Sequence, residues 1–172
     1  MKDFLTLAKE RYSVRKYKKD PVEQEKIDLI LEAAKVAPTA CNYQPQKIFV
    51  LKSEESRKKL AEVCPCLFDA PLVFVIGYDT GLAASGKVCP GYNFGPTDAA
   101  IVCAHMVFEA QDLGLGSCWV GYFENAEVKR VLNLPENVMV CDLLPVGYPA
   151  EDAVPAALHT QYRPLEDTVT EL

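Results

Sequence analysis

The apolar positions follow two periods along the chain. Residues 3–10 read as a short helix, with Phe4, Leu5, Leu7 and Ala8 apolar. Ile27, Ile30, Leu31 and Ala34 then recur at i, i+3, i+4 and i+7, which is one face of a helix. That helix must end before Pro38, because a residue preceding proline resists the α conformation. Residues 48–51 (Ile-Phe-Val-Leu) read as a strand, and Ser53 is placed to cap a helix running to about Val63. Residues 72–76 (Leu-Val-Phe-Val-Ile) form an unbroken apolar run, the mark of a central strand covered on both faces. A helix is expected from Asp98 to about Leu113, ended by Gly114. It is apolar around much of its circumference, so it is buried on more than one side. A short strand at 117–120, a helix capped by Asn125 and running to about Leu132, and a strand at 138–146 complete the regular elements. Helices interleaved with a few strands predict an α/β or α+β domain in three layers.

Two stretches lack periodicity. Residues 79–96 carry Gly81, Gly86, Pro90, Gly91, Gly95 and Pro96, as a long crossover or a cover over a site would. Residues 150–172 form a C-terminal arm without a strong pattern. No internal repeat and no linker divides the 172 residues, so a single domain is expected.

Charge narrows the function. The formal net charge of −6 argues against a nucleic-acid or anionic-membrane surface. No apolar run approaches the ~20 residues of a membrane helix, and residues 1–10 lack a signal-peptide core. A cytoplasmic protein is the expectation. Seven cysteines at scattered spacings then read as reduced thiols serving as small apolar residues. Cys64-Pro-Cys66 is their one close pair, and it lacks the spacing of zinc or redox motifs, so no metal site is expected.

Against this acidic background, residues 11–16 (Arg-Tyr-Ser-Val-Arg-Lys) place three cations and a serine hydroxyl in six positions. On an extended backbone Arg11, Ser13 and Arg15 would face one side. Two guanidinium forks and a hydroxyl converging on one point suit a phosphate monoester. A solvated basic turn is the other reading. Residues 38–45 (Pro-Thr-Ala-Cys-Asn-Tyr-Gln-Pro) form a loop bracketed by prolines, with uncharged polar members: either a recognition loop or a connector whose Thr and Asn satisfy local backbone. His105 lies within the apolar helix and reads as a core or interface histidine, and Trp119 as core before stacking platform.

In order along the chain, Arg11-x-Ser13-x-Arg15, the Ala-Pro-Thr-Ala-Cys-Asn-Tyr-Gln-Pro loop at 37–45, Leu113-Gly-Leu-Gly-Ser-Cys-Trp-Val-Gly121 and Pro145-Val-Gly-Tyr-Pro149 resemble the motifs of the FMN-dependent nitroreductase family. The resemblance implies an α+β fold, a three-layer α/β/α sandwich around a mixed, mostly antiparallel sheet. It implies a homodimer built on the long helix, with FMN at the interface and the arm laid on the partner subunit. It implies that Arg11, Tyr12, Ser13 and Arg15 belong to the cofactor site, with Arg11 and Ser13 on the phosphate and Arg15 near the phosphate or the N1/O2 end of the ring. Arg163 would add a second guanidinium from the arm. Pro38, Thr39, Ala40, Asn42 and Gln44 would reach the flavin of the other subunit, and Val120 and Gly121 would set a backbone N–H near N5. The implied reaction is ping-pong: NADH or NADPH reduces the flavin, and a nitroaromatic, quinone or similar flat electrophile then reoxidises it, with no side chain as acid, base or nucleophile. Residues 79–96 would cover the substrate. Non-nitro chemistry such as reductive dehalogenation, or a flavin-binding, redox-sensing protein with little turnover, are the alternatives. The segment 63–66 and Gln161 lack the Asn and Lys residues that larger members carry.

Overall fold

The computed structural model describes residues 3–86 and 90–172. Three layers are built on a four-stranded antiparallel sheet in the order β1-β2-β4-β3, where β1 is Gln46–Leu51, β2 is Leu72–Asp79, β3 is Gly116–Ser117 and β4 is Val138–Gly147. The expected apolar run is β2, paired on both sides and buried along nearly all its length. The one parallel contact is the bridge from Ser13 to Ser117, at the β3 edge.

On one face, α2 (Gln24–Val36) and α4 (Gly95–Asp112) bury Ile27, Ile30, Ala34, Val102 and Met106 against Phe74, Ile76, Leu144 and Val146. On the other, α3 (Glu54–Ala61) and α5 (Asn125–Leu132) bury Leu60 and Val128 against Val73, Val75, Val140 and Leu143. Alternate residues of β2 thus serve opposite cores, as the pleat requires. The short α1 (Phe4–Glu10) is capped by Asp3, whose carboxylate accepts the Thr6 N–H at 3.1 Å. At the far end of α4, the Lys26 ammonium donates to the Leu113 carbonyl at 2.9 Å, a cation where the helix dipole is negative.

Three boundaries differ from expectation. The long helix begins at Gly95 rather than Asp98, because Pro96 fits a first turn that needs no N–H from it. Asn125 does not cap α5; it is the helix's first residue, and its amide donates to the Val140 carbonyl at 2.6 Å, tying α5 to β4. The strand expected at 117–120 is regular only through Ser117, and pairing resumes at Val120. Within residues 79–96, Ser85 pairs with Asn93 and the Tyr92 and Phe94 rings meet edge to face at 4.7 Å. Residues 87–89 of that stretch, Cys89 among them, lie outside the described residues. No helix among the described residues is long and apolar enough to cross a membrane.

Candidate functional site

The basic segment is held on edge against the sheet. After α1 the backbone becomes extended at Arg11 (φ −65°, ψ 130°), and the Val14 N–H donates to the Ser117 carbonyl at 2.9 Å. Val14 and Tyr17 are buried, and the Tyr17 hydroxyl lies 2.8 Å from the Val14 carbonyl and 3.2 Å from that of Pro145. With Val14 turned inward, Ser13 and Arg15 must turn outward. The Ser13 hydroxyl lies within hydrogen-bond reach of the Cys118 thiol, and Arg11 and Arg15 are near enough for their charge to act on it. Burial pushes that thiol up, and Arg15, the Ser13 hydroxyl and Arg11 oppose the rise. Among the described residues neither Arg11 nor Arg15 has a carboxylate partner. Arg15 donates only to the Ser13 carbonyl, at 3.2 Å. Tyr12 points the other way, its hydroxyl 3.4 Å from the Ala153 carbonyl and its ring edge-on to His159.

Along the same edge, Val120 and Leu143 exchange two backbone hydrogen bonds of 2.9 Å. Gly121 then leaves the sheet. Its N–H donates to no acceptor among the described residues, and a Cβ placed on it would meet nothing within 4 Å. A cleft of about 280 Å³ opens beside it, lined by Val63, Pro65, Tyr122, Phe123 and Glu124. The Cys64 thiol, raised by burial, donates to the Tyr122 carbonyl at 3.7 Å.

The proline-bracketed loop forms a second group, at the start of α4. Pro38 follows the end of α2, and Cys41, Asn42 and Gln44 adopt φ of +54°, +54° and +50°. The left-handed region costs Cys and Gln about 1–3 kcal/mol each, and such strain survives only where surroundings impose it. Thr39 Oγ1 accepts the Gln44 N–H at 3.0 Å, and Asp98 Oδ1 accepts the Ala40 N–H at 2.8 Å. No hydrogen bond joins this loop to residues 11–15 among the described residues.

Arg163 stands apart from both groups. It pairs with Asp167 at 3.6 Å, is largely exposed, and has no hydrogen bond to residues 11–15. Earlier in the arm, Asp152 pairs with Lys16 at 2.5 Å. Exposed apolar residues run along that arm at Val154, Leu158, Tyr162, Leu165 and Val169. A groove of about 780 Å³ between α1, α2 and α4 is lined by Phe4, Leu29, Val36, Ala104 and Phe108, with His105 in its wall bonded to the Ile101 carbonyl. Glu109, raised by burial and by Asp112, sits at its rim.

Two buried carboxylates escaped the sequence reading. Asp98 appeared there only as a helix start, yet it is 2% exposed and holds the loop. Asp142 accepts the Trp119 indole N–H at 2.5 Å and is raised by burial, so the half-exposed Trp119 is anchored rather than free to swing. The second oxygen of each is buried without a partner among the described residues. An indole next to the Gly121 signature could have prompted a search for an acceptor; nothing local marks Asp98.

The β3 edge has the chemistry for an anionic group beside a flat ring. Two guanidinium groups with no carboxylate partner among the described residues and a hydroxyl match a phosphate, and a bare glycine whose N–H has no acceptor among those residues permits close approach of a ring. A sequence profile of the nitroreductase family matches residues 8–69 and 64–148. A Methanothermobacter thermautotrophicus protein, provisionally named NADH dehydrogenase/NAD(P)H nitroreductase, is 33% identical over 87% of this chain and 79% of its own length. A nitroreductase family protein from Clostridium difficile 630 superposes with a TM-score of 0.91 at 32% identity, covering 98% of both chains. An FMN-dependent nitroreductase from Clostridium difficile R20291 superposes with a TM-score of 0.75 at 27% identity, over 93% of this chain and 98% of its own.

Proposed function

The chain belongs to the nitroreductase family, and from that membership we propose that it is an FMN-dependent NAD(P)H oxidoreductase acting on flat electrophiles such as nitroaromatics and quinones. The observation that carries the reading is the pair of guanidinium groups without a carboxylate partner among the described residues, Arg11 and Arg15, beside Ser13 at the edge that ends in Gly121. Bound FMN would supply the electron exchange, taking two electrons from the nicotinamide and passing them to the acceptor.

The chain's residues do the rest. Arg11 and Ser13 hold the phosphate as a charge-assisted pair of donors. Arg15 places positive charge where a reduced ring gathers negative charge, which favours the reduced form. The Gly121 N–H and the adjoining Val120 backbone meet the ring edge. The cleft between Pro65 and Phe123 leaves room for a flat substrate. Among the described residues its lining has no lysine or arginine and one carboxylate, that of Glu124, so selection there is by shape, apolar contact and rejection of anions. The described parts of the crossover, residues 79–86 and 90–96, would serve as the substrate cover.

Residues 38–44 lie apart from this edge, so they complete the site of a second copy. The groove on α1, α2 and α4, where the Phe4 and Phe108 rings meet edge to face at 5.0 Å, is the face on which two copies meet. The apolar side chains of residues 154–169 wrap the partner, which brings Arg163 to a phosphate. The whole chain then acts as one domain of a homodimer.

The test is the visible spectrum of the purified protein, followed by titration of the cofactor-free form with FMN and with riboflavin. Wild type should prefer FMN, and Arg11→Gln should lose most of that preference while binding riboflavin nearly as before. NADH or NADPH should bleach the bound flavin without air, and a quinone should restore it. Equal affinity for FMN and riboflavin in wild type would remove the phosphate role of Arg11. Bleaching without turnover would favour a redox sensor.

A further inference from the structure

Resting on the reading above, in which residues 38–44 of one copy touch the cofactor held by the other, we infer that Asp98 is the positioning residue of that contact. The loop's own hydrogen bonds cannot fix its place. Asn42 N–H to Thr39 O, Tyr43 N–H to Ala40 O and Gln44 N–H to Thr39 Oγ1, all at 3.0 to 3.1 Å, move with the loop. Among the described residues, the 2.8 Å bond from the Ala40 N–H to Asp98 Oδ1 is the one hydrogen bond that ties residues 38–44 to another element. The conformation it fixes is strained at Cys41 and Gln44. A bond to an ionised carboxylate is roughly twice as strong as one to a neutral acceptor, which suits a single anchor.

The carboxylate is buried on a regular element. Asp98 stands in the first turn of α4, where the helix dipole favours a negative charge, and its own N–H donates to the Phe94 carbonyl at 2.8 Å. Its Oδ2 has no partner among the described residues, so the group's one polar task there is to hold Ala40. Asp98 acts through Thr39, Ala40 and Asn42 and need not touch the cofactor.

The test uses FMN itself. Dissociation constants are read from quenching of FMN fluorescence, and Tm is read with and without FMN, for wild type, Asp98→Ala, Asp98→Asn, Ala40→Pro and the Asp98→Ala/Ala40→Pro double variant. Asparagine keeps an acceptor oxygen. Proline removes the N–H, and the extended Thr39 before it (φ −131°, ψ 159°) already has the backbone a pre-proline residue needs. Asp98→Ala and Ala40→Pro should each weaken FMN binding roughly tenfold, the scale of one charged hydrogen bond. Asp98→Asn should recover most of the loss. The double variant should be little worse than either single one, because both remove the same bond.

Wild-type affinity in a folded Asp98→Ala overturns the inference. So does a lower Tm with an unchanged FMN-induced rise, since that marks a purely structural role. Should Asp98→Ala not fold, Ala40→Pro at wild-type affinity overturns it alone. Failure of the wild type to bind FMN would instead overturn the functional reading on which this rests.

Discussion

Replacing Gly116 with alanine probes the seam that sets the cation cluster. A Cβ at this position would lie 2.5 Å from Val14 Cγ2, 2.9 Å from Val14 Cβ and 3.1 Å from Pro149 Cγ. Carbon atoms rest at about 3.5–4.0 Å, so the segment carrying Val14 must move off β3 by about 1 Å. Val14 cannot turn aside, because it is buried and branched at Cβ. A shift of that size strains the 2.9 Å Val14–Ser117 bond and moves Ser13 and Arg15 with it. Overpacking costs about 1–3 kcal/mol and the weakened bond about 1 more, so Gly116→Ala should lose about 2–4 kcal/mol. Urea unfolding of the FMN-free protein at fixed concentration, followed by Trp119 fluorescence, measures the stability, and FMN titration measures the site. In a Val14→Gly background the Cγ atoms and the Cβ are gone, of the three contacts only that with Pro149 Cγ at 3.1 Å remains, and the same substitution should cost less than half as much. A loss under about 0.5 kcal/mol, or an equal loss in both backgrounds, would refute the argument that this contact spaces the segment from the sheet.

Two further outcomes test other parts of the molecule. Phe108→Asp puts a charge in the groove beside Phe4, and sedimentation should then report the 19.0 kDa monomer together with weaker FMN retention; a dimer that persists would exclude this face as the interface. Asp142 is raised by burial, so its protonated form is the one folding favours: the stability it contributes is full below its unfolded value and is lost as pH rises through the folded one. Asp142→Asn, which keeps an acceptor for Trp119, should therefore match or exceed wild type at neutral pH and fall behind it in acid. Urea melts across that range decide the point, and a constant difference at all pH values would contradict it.

How far the chain could be read in advance follows the distance over which each signal acts. The apolar run at 72–76 and the Ile27, Ile30, Ala34 face are local, and each became the buried element expected of it. Arg11, Ser13 and Arg15 alternate within five residues, and with Val14 buried between two of them the charge of both arginines and the Ser13 hydroxyl act on one thiol, that of Cys118. Asn125 misled because a cap and a cross-link use the same amide; only proximity to Val140, fifteen residues on, decides which bond forms. Asp98 and Ala40 are 58 positions apart, and Trp119 and Asp142 are 23 apart, so no periodicity links them. These long-range bonds share one trait: each fixes an irregular segment next to a short motif that could be read locally. The motif names the chemistry, and a distant buried carboxylate ties down a residue within it, the Ala40 backbone in one case and the Trp119 indole in the other. In a fold of this size the core can be read from pattern. The precision of the site depends on pairs such as Ala40–Asp98, whose disruption should alter cofactor affinity more than the fold.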